Sequence, residues 1–271
     1  MAATAPLRVL EIDANEIDDY SDLIRRMTNQ EVTVALVRGV FPAEAAAELI
    51  ARVDAGEGSS RLTEVAPQFR IYSLGLALDT AESLEQYLNE ASLFLPECRG
   101  IFRGLLDYFN WVPQLLGRFS GGRPVEIPAQ NGRIYNPVTI RRLPAGGQIP
   151  PHCEFEQLNR PAYTHLKGLI GSSPIISYYT TLRPPEKGGQ VRISKMSWGD
   201  VAISDDGRSN AAAVIDQYES MTFLPNIGDF ILFDGGRQYH QVLTVDGEQP
   251  RWTIGGFVCE SAERDKIWYW S

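Results

Sequence analysis

The sequence predicts an α+β protein, with a C-terminal β-sandwich or jelly roll and helices from the N-terminal part packed outside it. Three observations carry that prediction. Apolar residues recur at three- and four-residue spacing through much of residues 1–122. From about residue 124 the pattern changes to short strand-like runs, regularly spaced and broken by turn residues. The chain of 271 residues is 44% hydrophobic and 22% charged, an ordinary globular balance that can bury a large core. It shows no internal repeat, low-complexity tract or long linker. It therefore reads as one unit, 1–271, with a mainly helical flanking part at 1–122 and a β core at 123–271.

Taken in order, helices are expected at 14–30 and 42–54, the second opening on Pro42 followed by Ala and Glu. FRIYSLGLAL (69–78) reads as a strand or extended segment. A second helical region covers 81–118 and stops at Gly121-Gly122. Strands are then expected in IYNPVTIRRL, SPIISYYTTL, GGQVRIS, SMTFLP, GDFILFDG, HQVLTV and RWTIGGFV, with PPEKGG, NIGD and VDGEQ as turns between them. The charged, Gly-containing run ISDDGRSN (203–210) has the composition of a mobile lid.

Composition also narrows the function. Asp plus Glu is 34 against 25 Lys plus Arg, a formal charge of −9 that repels phosphates and argues against nucleic acid or an anionic membrane as partner. Cys98, Cys153 and Cys259 form no C-x-x-C pair, so neither a disulfide framework nor a thiolate zinc site is indicated. There is no basic stretch followed by an apolar run at the start, and no apolar run near the ~20 residues of a membrane span. A cytoplasmic protein acting on a small molecule is the expectation. The oligomeric state is left open, a homodimer included.

The chain has three histidines, His152, His165 and His240. His152-Cys153-Glu154 follows the turn LPAGGQIPP, and on a strand positions 152 and 154 share a face. His240 ends the run GDFILFDGGRQYH and can close the site from another strand. Two His and one carboxylate on one side of an ion, with other positions open, is the ligand set of non-haem iron(II) oxygenases. By itself an H-x-E triplet is common by chance. Arg251-x-Thr253 raises its specificity, because a guanidinium and a neighbouring hydroxyl suit the distal carboxylate of 2-oxoglutarate. His165, in HLKGLI, and Glu156 read as structural, and Trp252 as core packing.

The ordered set resembles the Fe(II)/2-oxoglutarate-dependent oxygenase family. His152, Glu154 and His240 match its H-x-D/E…H, and Arg251 and Thr253 match its R-x-S/T. VRGVFP, RPVEIP, IYNPVTIRRL, HLKGLI, GGQV, FDGGRQYH, GGFV and the tail SAERDKIWYWS are similar to the branch of carrier-protein-independent indole-alkaloid halogenases and N-acyl amino acid hydroxylases. The resemblance implies a double-stranded β-helix (a jelly-roll, cupin-like core), Fe(II) and O2 as cofactors and 2-oxoglutarate as co-substrate. It also implies hydroxylation or desaturation, since halogenases of this branch carry Gly where this chain has Glu154, leaving a metal position to chloride.

Tyr135, Thr139 and Arg141 alternate before the metal loop and are candidate pocket residues, Tyr135 as a partner of 2-oxoglutarate. Pocket walls are expected from the helical part and from residues 155–168. Arg160 and Arg70 are candidate anchors for an anionic substrate, with Ile71, Tyr72 and Leu76 as its apolar wall. An arginine facing the metal would favour an amino acid or N-acyl amino acid, and an apolar pocket an alkaloid- or nucleoside-like compound. The competing readings are a cupin-like metalloenzyme, in which Arg251 and Thr253 would have no task, and a non-catalytic jelly-roll binding module.

Overall fold

The β-branched and aromatic runs of the sequence pair into two main sheets in the computed structural model, which describes residues 6–56, 62–202 and 209–271. The N-terminal part supplies β1 (Val9–Asp13), β2 (Val34–Arg38), β3 (Thr63–Ala66) and β4 (Ile71–Leu74). Short strands β5 (Val125–Glu126), β6 (Ala129–Gln130) and β7 (Arg133–Ile134) lead into β8 (Thr139–Leu143) and β9 (Ile149–His152). Next come β10 (Ile176–Arg183), β11 (Lys187–Gly188), β12 (Val191–Ser197), β13 (Ser220–Phe223) and β14 (Phe230–Phe233). The last are β15 (Gln238–Val242), β16 (Val245–Asp246), β17 (Arg251–Glu260) and β18 (Ile267–Trp270).

The larger sheet has ten strands in the order β1-β2-β14-β10-β17-β8-β4-β3, with β18 and then β5 branching from β17. The smaller has four, β13-β12-β15-β9. The two pack face to face, since Val34, Leu36, Ile231 and Phe233 of the larger sheet share a buried cluster with Val191 and Ile193 of the smaller. Antiparallel pairing dominates; among the described residues only β1–β2 and β5–β18 run parallel.

The helices are α1 (Leu23–Thr28), α2 (Ala43–Asp54), α3 (Leu84–Ile101), α4 (Tyr108–Arg118), α5 (Glu154–Gln157), α6 (Thr164–Ile170) and α7 (Ala211–Val214). Helix α2 buries Ala46, Leu49, Ile50 and Val53, the i, i+3, i+4, i+7 face that its sequence pattern implies. Ser83 caps α3, its hydroxyl accepting from the Gln86 N–H, and Asp107 caps α4 in the same manner on Phe109. Helices α1–α4 lie on the side of the larger sheet away from the smaller one. Their apolar faces join Ile176, Tyr178, Phe230, Leu232 and Ile254 in the main core.

Two expectations change. The helix expected over 14–30 is a 3-10 helix, Ala14–Tyr20, followed by α1, and the one over 81–118 breaks between α3 and α4. More importantly, residues 1–122 are not only an outer helical layer, because four of their strands belong to the larger sheet. Strand β2 is buried from Val34 to Val37 and lies between β1 and β14, where a continuous apolar run is the natural pattern. Arg38 at its end binds the buried Asp229 carboxylate at 2.9 Å, fastening β2 to the turn before β14. Most of the run proposed as a lid, 203–208, lies outside the described residues. Among the described residues no helix is long and apolar enough to cross a membrane.

Candidate metal centre

His152, Glu154 and His240 meet between the two sheets, each offering one ligand atom within 4.8 Å of the others. His240 on β15 pairs directly with His152 at the end of β9, and their ring centroids are 4.2 Å apart. Glu154 is not on the strand, as alternation suggested; it opens α5. The two side chains still converge because Cys153 between them is extended, φ −139° and ψ 152°. The Cys153 side chain consequently points the other way, into a buried cluster with Met196, Ala211, Ile215 and Tyr239.

Each imidazole is oriented by its own backbone. His152 Nδ1 lies 2.8 Å from the Pro150 carbonyl and His240 Nδ1 lies 3.1 Å from that of Gln238. A donating Nδ1–H leaves the Nε2 lone pair for a metal. Ser177 on β10 donates to Glu154 Oε1 at 2.6 Å, while Oε2 is buried with no partner. Burying a carboxylate with only one hydrogen bond is costly, and a divalent cation held by this carboxylate and the two rings would offset that cost. Two nitrogens and a carboxylate oxygen suit Fe(II). The residues present fit that ion.

The turn between β14 and β15 makes room for the carboxylate. A Cβ on Gly235 would lie 2.6 Å from Glu154 Oε2 and would also collide with Ser177 Oγ. The Gly235 and Gly236 carbonyls accept from the Glu154 and Phe155 amides at 3.0 and 3.3 Å. Arg237 secures this turn, binding Asp234 and donating to the Met27 and Thr28 carbonyls of α1.

Burial, reinforced by the His240 charge, lowers the His152 pKa to about 4. Burial would raise Glu154, yet His240, His152 and the Ser177 hydroxyl outweigh it and hold the carboxyl at about 2. Burial would lower His240, but the adjacent carboxylate, 3.4 Å away, raises it above its ordinary value.

The cavity over the three ligands draws on both sheets. Arg251 and Thr253, one face of β17, line it and are each 5% exposed. The Arg251 guanidinium lies over the Tyr179 ring, 4.8 Å from its centroid, and the Tyr179 hydroxyl is buried with no hydrogen-bond partner. Arg141, opposite Thr253 on β8, also lines the cavity, and its guanidinium meets no acidic side chain among the described residues. Thr139 lines it as well, with its hydroxyl on that of Ser271.

The other candidates are placed elsewhere. Tyr135 is buried against Tyr87, and its hydroxyl meets His165 Nδ1 at 3.0 Å, outside the cavity lining. The exposed Arg160 donates to the Asp79 carbonyl and the exposed Arg70 to that of Ala145, so neither guanidinium enters the cavity. Ile71 packs behind the wall with Leu143 and Val245, and Leu76 on a separate cluster around Tyr87. Tyr72 hydrogen-bonds Glu64, which raises its pKa. Sequence reasoning missed Ser177, Tyr179, Asp79 and Gln157, all cavity-lining. Alternation along SPIISYYTTL places Ser177 and Tyr179 on one face and was the signal available for those two.

A family model described as carrier-protein-independent halogenase WelO5 matches residues 6–271. Among curated proteins no sequence matches. Among solved structures, an N-substituted L-amino acid dioxygenase from Burkholderia ambifaria AMMD is similar at 12% identity and a TM-score of 0.56, covering 92% of this chain and 91% of its own. A 2OG-Fe(II) oxygenase family oxidoreductase from Burkholderia pseudomallei is similar at 20% identity and 0.51, covering 97% and 100%. The epimerase SnoN, in complex with Fe3+, alpha ketoglutarate and nogalamycin RO, is similar at 12% and 0.53, covering 87% and 82%. At these identities the structures speak to the fold.

Proposed function

The chain belongs to the family of the carrier-protein-independent halogenase WelO5, and from that premise we propose a hydroxylase that holds Fe(II) through His152, Glu154 and His240. The observation carrying this reading is the buried Glu154 carboxylate, whose Oε1 lies 3.4 Å from His240 Nε2 and which offers an oxygen within 4.8 Å of both imidazoles. In the halogenases that this chain resembles, glycine at that position leaves room for chloride. A third protein ligand here supports oxygen transfer in its place. The two facing sheets, with the site between them, are read as a double-stranded β-helix spanning one unit, 1–271.

Fe(II) with 2-oxoglutarate supplies the activation of O2 and the oxidation of an unactivated C–H bond, with release of succinate and CO2. The side chains supply position and a dry enclosure. Arg251 and Thr253 are assigned to the distal carboxylate of 2-oxoglutarate, and Tyr179, whose hydroxyl lacks a partner, takes the part first expected of Tyr135. Burial raises the Tyr179 pKa despite the nearby Arg251, which keeps that hydroxyl a donor. No protein acid or base is needed. The guanidinium facing the metal cavity is Arg141 rather than Arg160 or Arg70, which favours a carboxylate-bearing substrate of the amino acid or N-acyl amino acid class. The similar dioxygenase named for N-substituted L-amino acids gives that class a precedent on this scaffold. Apolar walls at Val191, Phe233 and Phe257 support a second reading, an alkaloid- or nucleoside-like substrate.

Anaerobic addition of Fe(II) and 2-oxoglutarate should give the weak visible band of the chelate. His240→Ala should abolish it. Arg251→Ala should raise the 2-oxoglutarate needed for half-saturation roughly tenfold or more, since a hydrogen bond to a charged group contributes about 1.5–3 kcal/mol. Folded wild-type protein that gives no band would overturn the oxygenase reading.

A further inference from the structure

The cavity that holds the metal ligands is lined by two further polar side chains to which the proposed function gives no role. Asp79, in the 3-10 turn Leu78–Thr80, and Gln157, at the end of α5, both line the cavity that holds the metal ligands. Asp79 Oδ1 and Gln157 Oε1 are buried, and neither has a hydrogen-bond partner. Gln157 as a residue is only 8% exposed. Tyr163 lines the same cavity and feels the Asp79 charge, which adds to burial in raising its pKa. Arg160 donates to the Asp79 backbone carbonyl rather than to its side chain, and Asp79 Oδ1 stays without a hydrogen-bond partner.

Two unpartnered acceptors, one of them anionic, call for a ligand that donates. A carboxylate such as that of 2-oxoglutarate would be repelled, and a neutral amide would leave the Asp79 charge uncompensated. A protonated amine offers up to three donors and an opposite charge in one small group. We propose that Asp79 and Gln157 form the subsite for a cationic nitrogen of the substrate. This assignment rests on the hydroxylase reading and narrows it: a free ammonium is preferred over the N-acyl form. With Arg141 also unpaired in the cavity, a zwitterionic amino acid meets both charges.

The test uses the full chain with Fe(II) and 2-oxoglutarate under anaerobic conditions. Binding is measured by calorimetry for L-leucine, L-lysine and tryptamine, each beside its N-acetyl counterpart (acetylated on the α-nitrogen for the amino acids). At least one free amine should bind tenfold or more tightly than its acetylated partner. Asp79→Asn should erase that preference while leaving the chelate band and its 2-oxoglutarate dependence unchanged, and Gln157→Met should weaken it. If no free amine binds better than its acetylated form, or if Asp79→Asn keeps the preference, the cation subsite is wrong. Loss of the chelate band in wild type would instead be the failure of the oxygenase reading, so the two failures are told apart.

Discussion

Glu154 reaches its position only because residue 235 has no side chain. Gly235→Ala would place a methyl group 2.6 Å from Glu154 Oε2, so the carboxylate or the turn must move. We expect metal affinity to fall at least tenfold with the fold retained, as read by metal titration beside circular dichroism. Undiminished affinity would mean that Glu154 does not bind the metal. The proposed metal and 2-oxoglutarate residues were picked out in the sequence because metal and carboxylate recognition demand particular residue types at alternating spacing, as at 152, 154, 251 and 253. Asp79 and Gln157 were not legible. Their significance is an absence of partners, which spacing does not encode. Arg70 and Arg160 misled for a related reason: charge announces a guanidinium but not its direction, and both turn to backbone carbonyls.

The Asp234–Arg237 turn is where an element's stability and the site's geometry coincide. Arg237 satisfies a carboxylate that is 2% exposed and ties the turn to the end of α1. Arg237→Ala would strand that carboxylate, and breaking such a buried pair costs roughly 3–5 kcal/mol. Burial already raises Asp234 to about 6, with Arg237 opposing. A raised folded pKa contributes stability below the unfolded value, and that contribution is lost as pH rises through the folded value. Removing Arg237 raises the folded pKa further, so the variant's deficit in urea unfolding should grow from pH 5 to pH 8. A deficit that shrank over that range would contradict the assignment. Among whole elements, α2 was legible from its periodicity, whereas β1 and β2 were not. A short, wholly apolar run such as Val34–Val37 has no period that separates strand from helix, and β1 is a half-exposed edge.

At the scale of the molecule, the proposed ligands come from β9, α5 and β15, and Ser177 of the larger sheet braces one of them. A metal bound there should stabilise the fold as a whole. At a hundred times its dissociation constant the gain is about 2.7 kcal/mol, and for a chain near this size each kcal/mol is worth roughly 2–4 °C in Tm. The pH dependence has a definite sign. Glu154, near 2, and His152, near 4, are already in their ligand forms at neutral pH. The adjacent Glu154 carboxylate raises His240 above its ordinary value, so it holds its proton to higher pH than a free imidazole, and that proton must leave for the metal to bind. The Tm shift produced by Fe(II) in anaerobic scans should therefore be larger at pH 8 than at pH 6. An equal or reversed shift would remove His240 from the ligand set. The C-terminal β core behind this arrangement was legible from strand spacing and turns. That the N-terminal strands complete its larger sheet was not, because sheet order depends on distant partners.

Cys153 stands between two of the proposed metal ligands and faces away from both. Burial, with the Glu154 charge beside it, lifts its thiol to about 12, so the sulfur stays protonated at neutral pH. A thiolate at that place would give the centre a soft donor and an appetite for zinc or copper. By turning the sulfur into an apolar cluster, the chain leaves only imidazole and carboxylate donors for an incoming ion. On the proposed ligand set, a residue that never touches the ion thus shapes which metals the site favours.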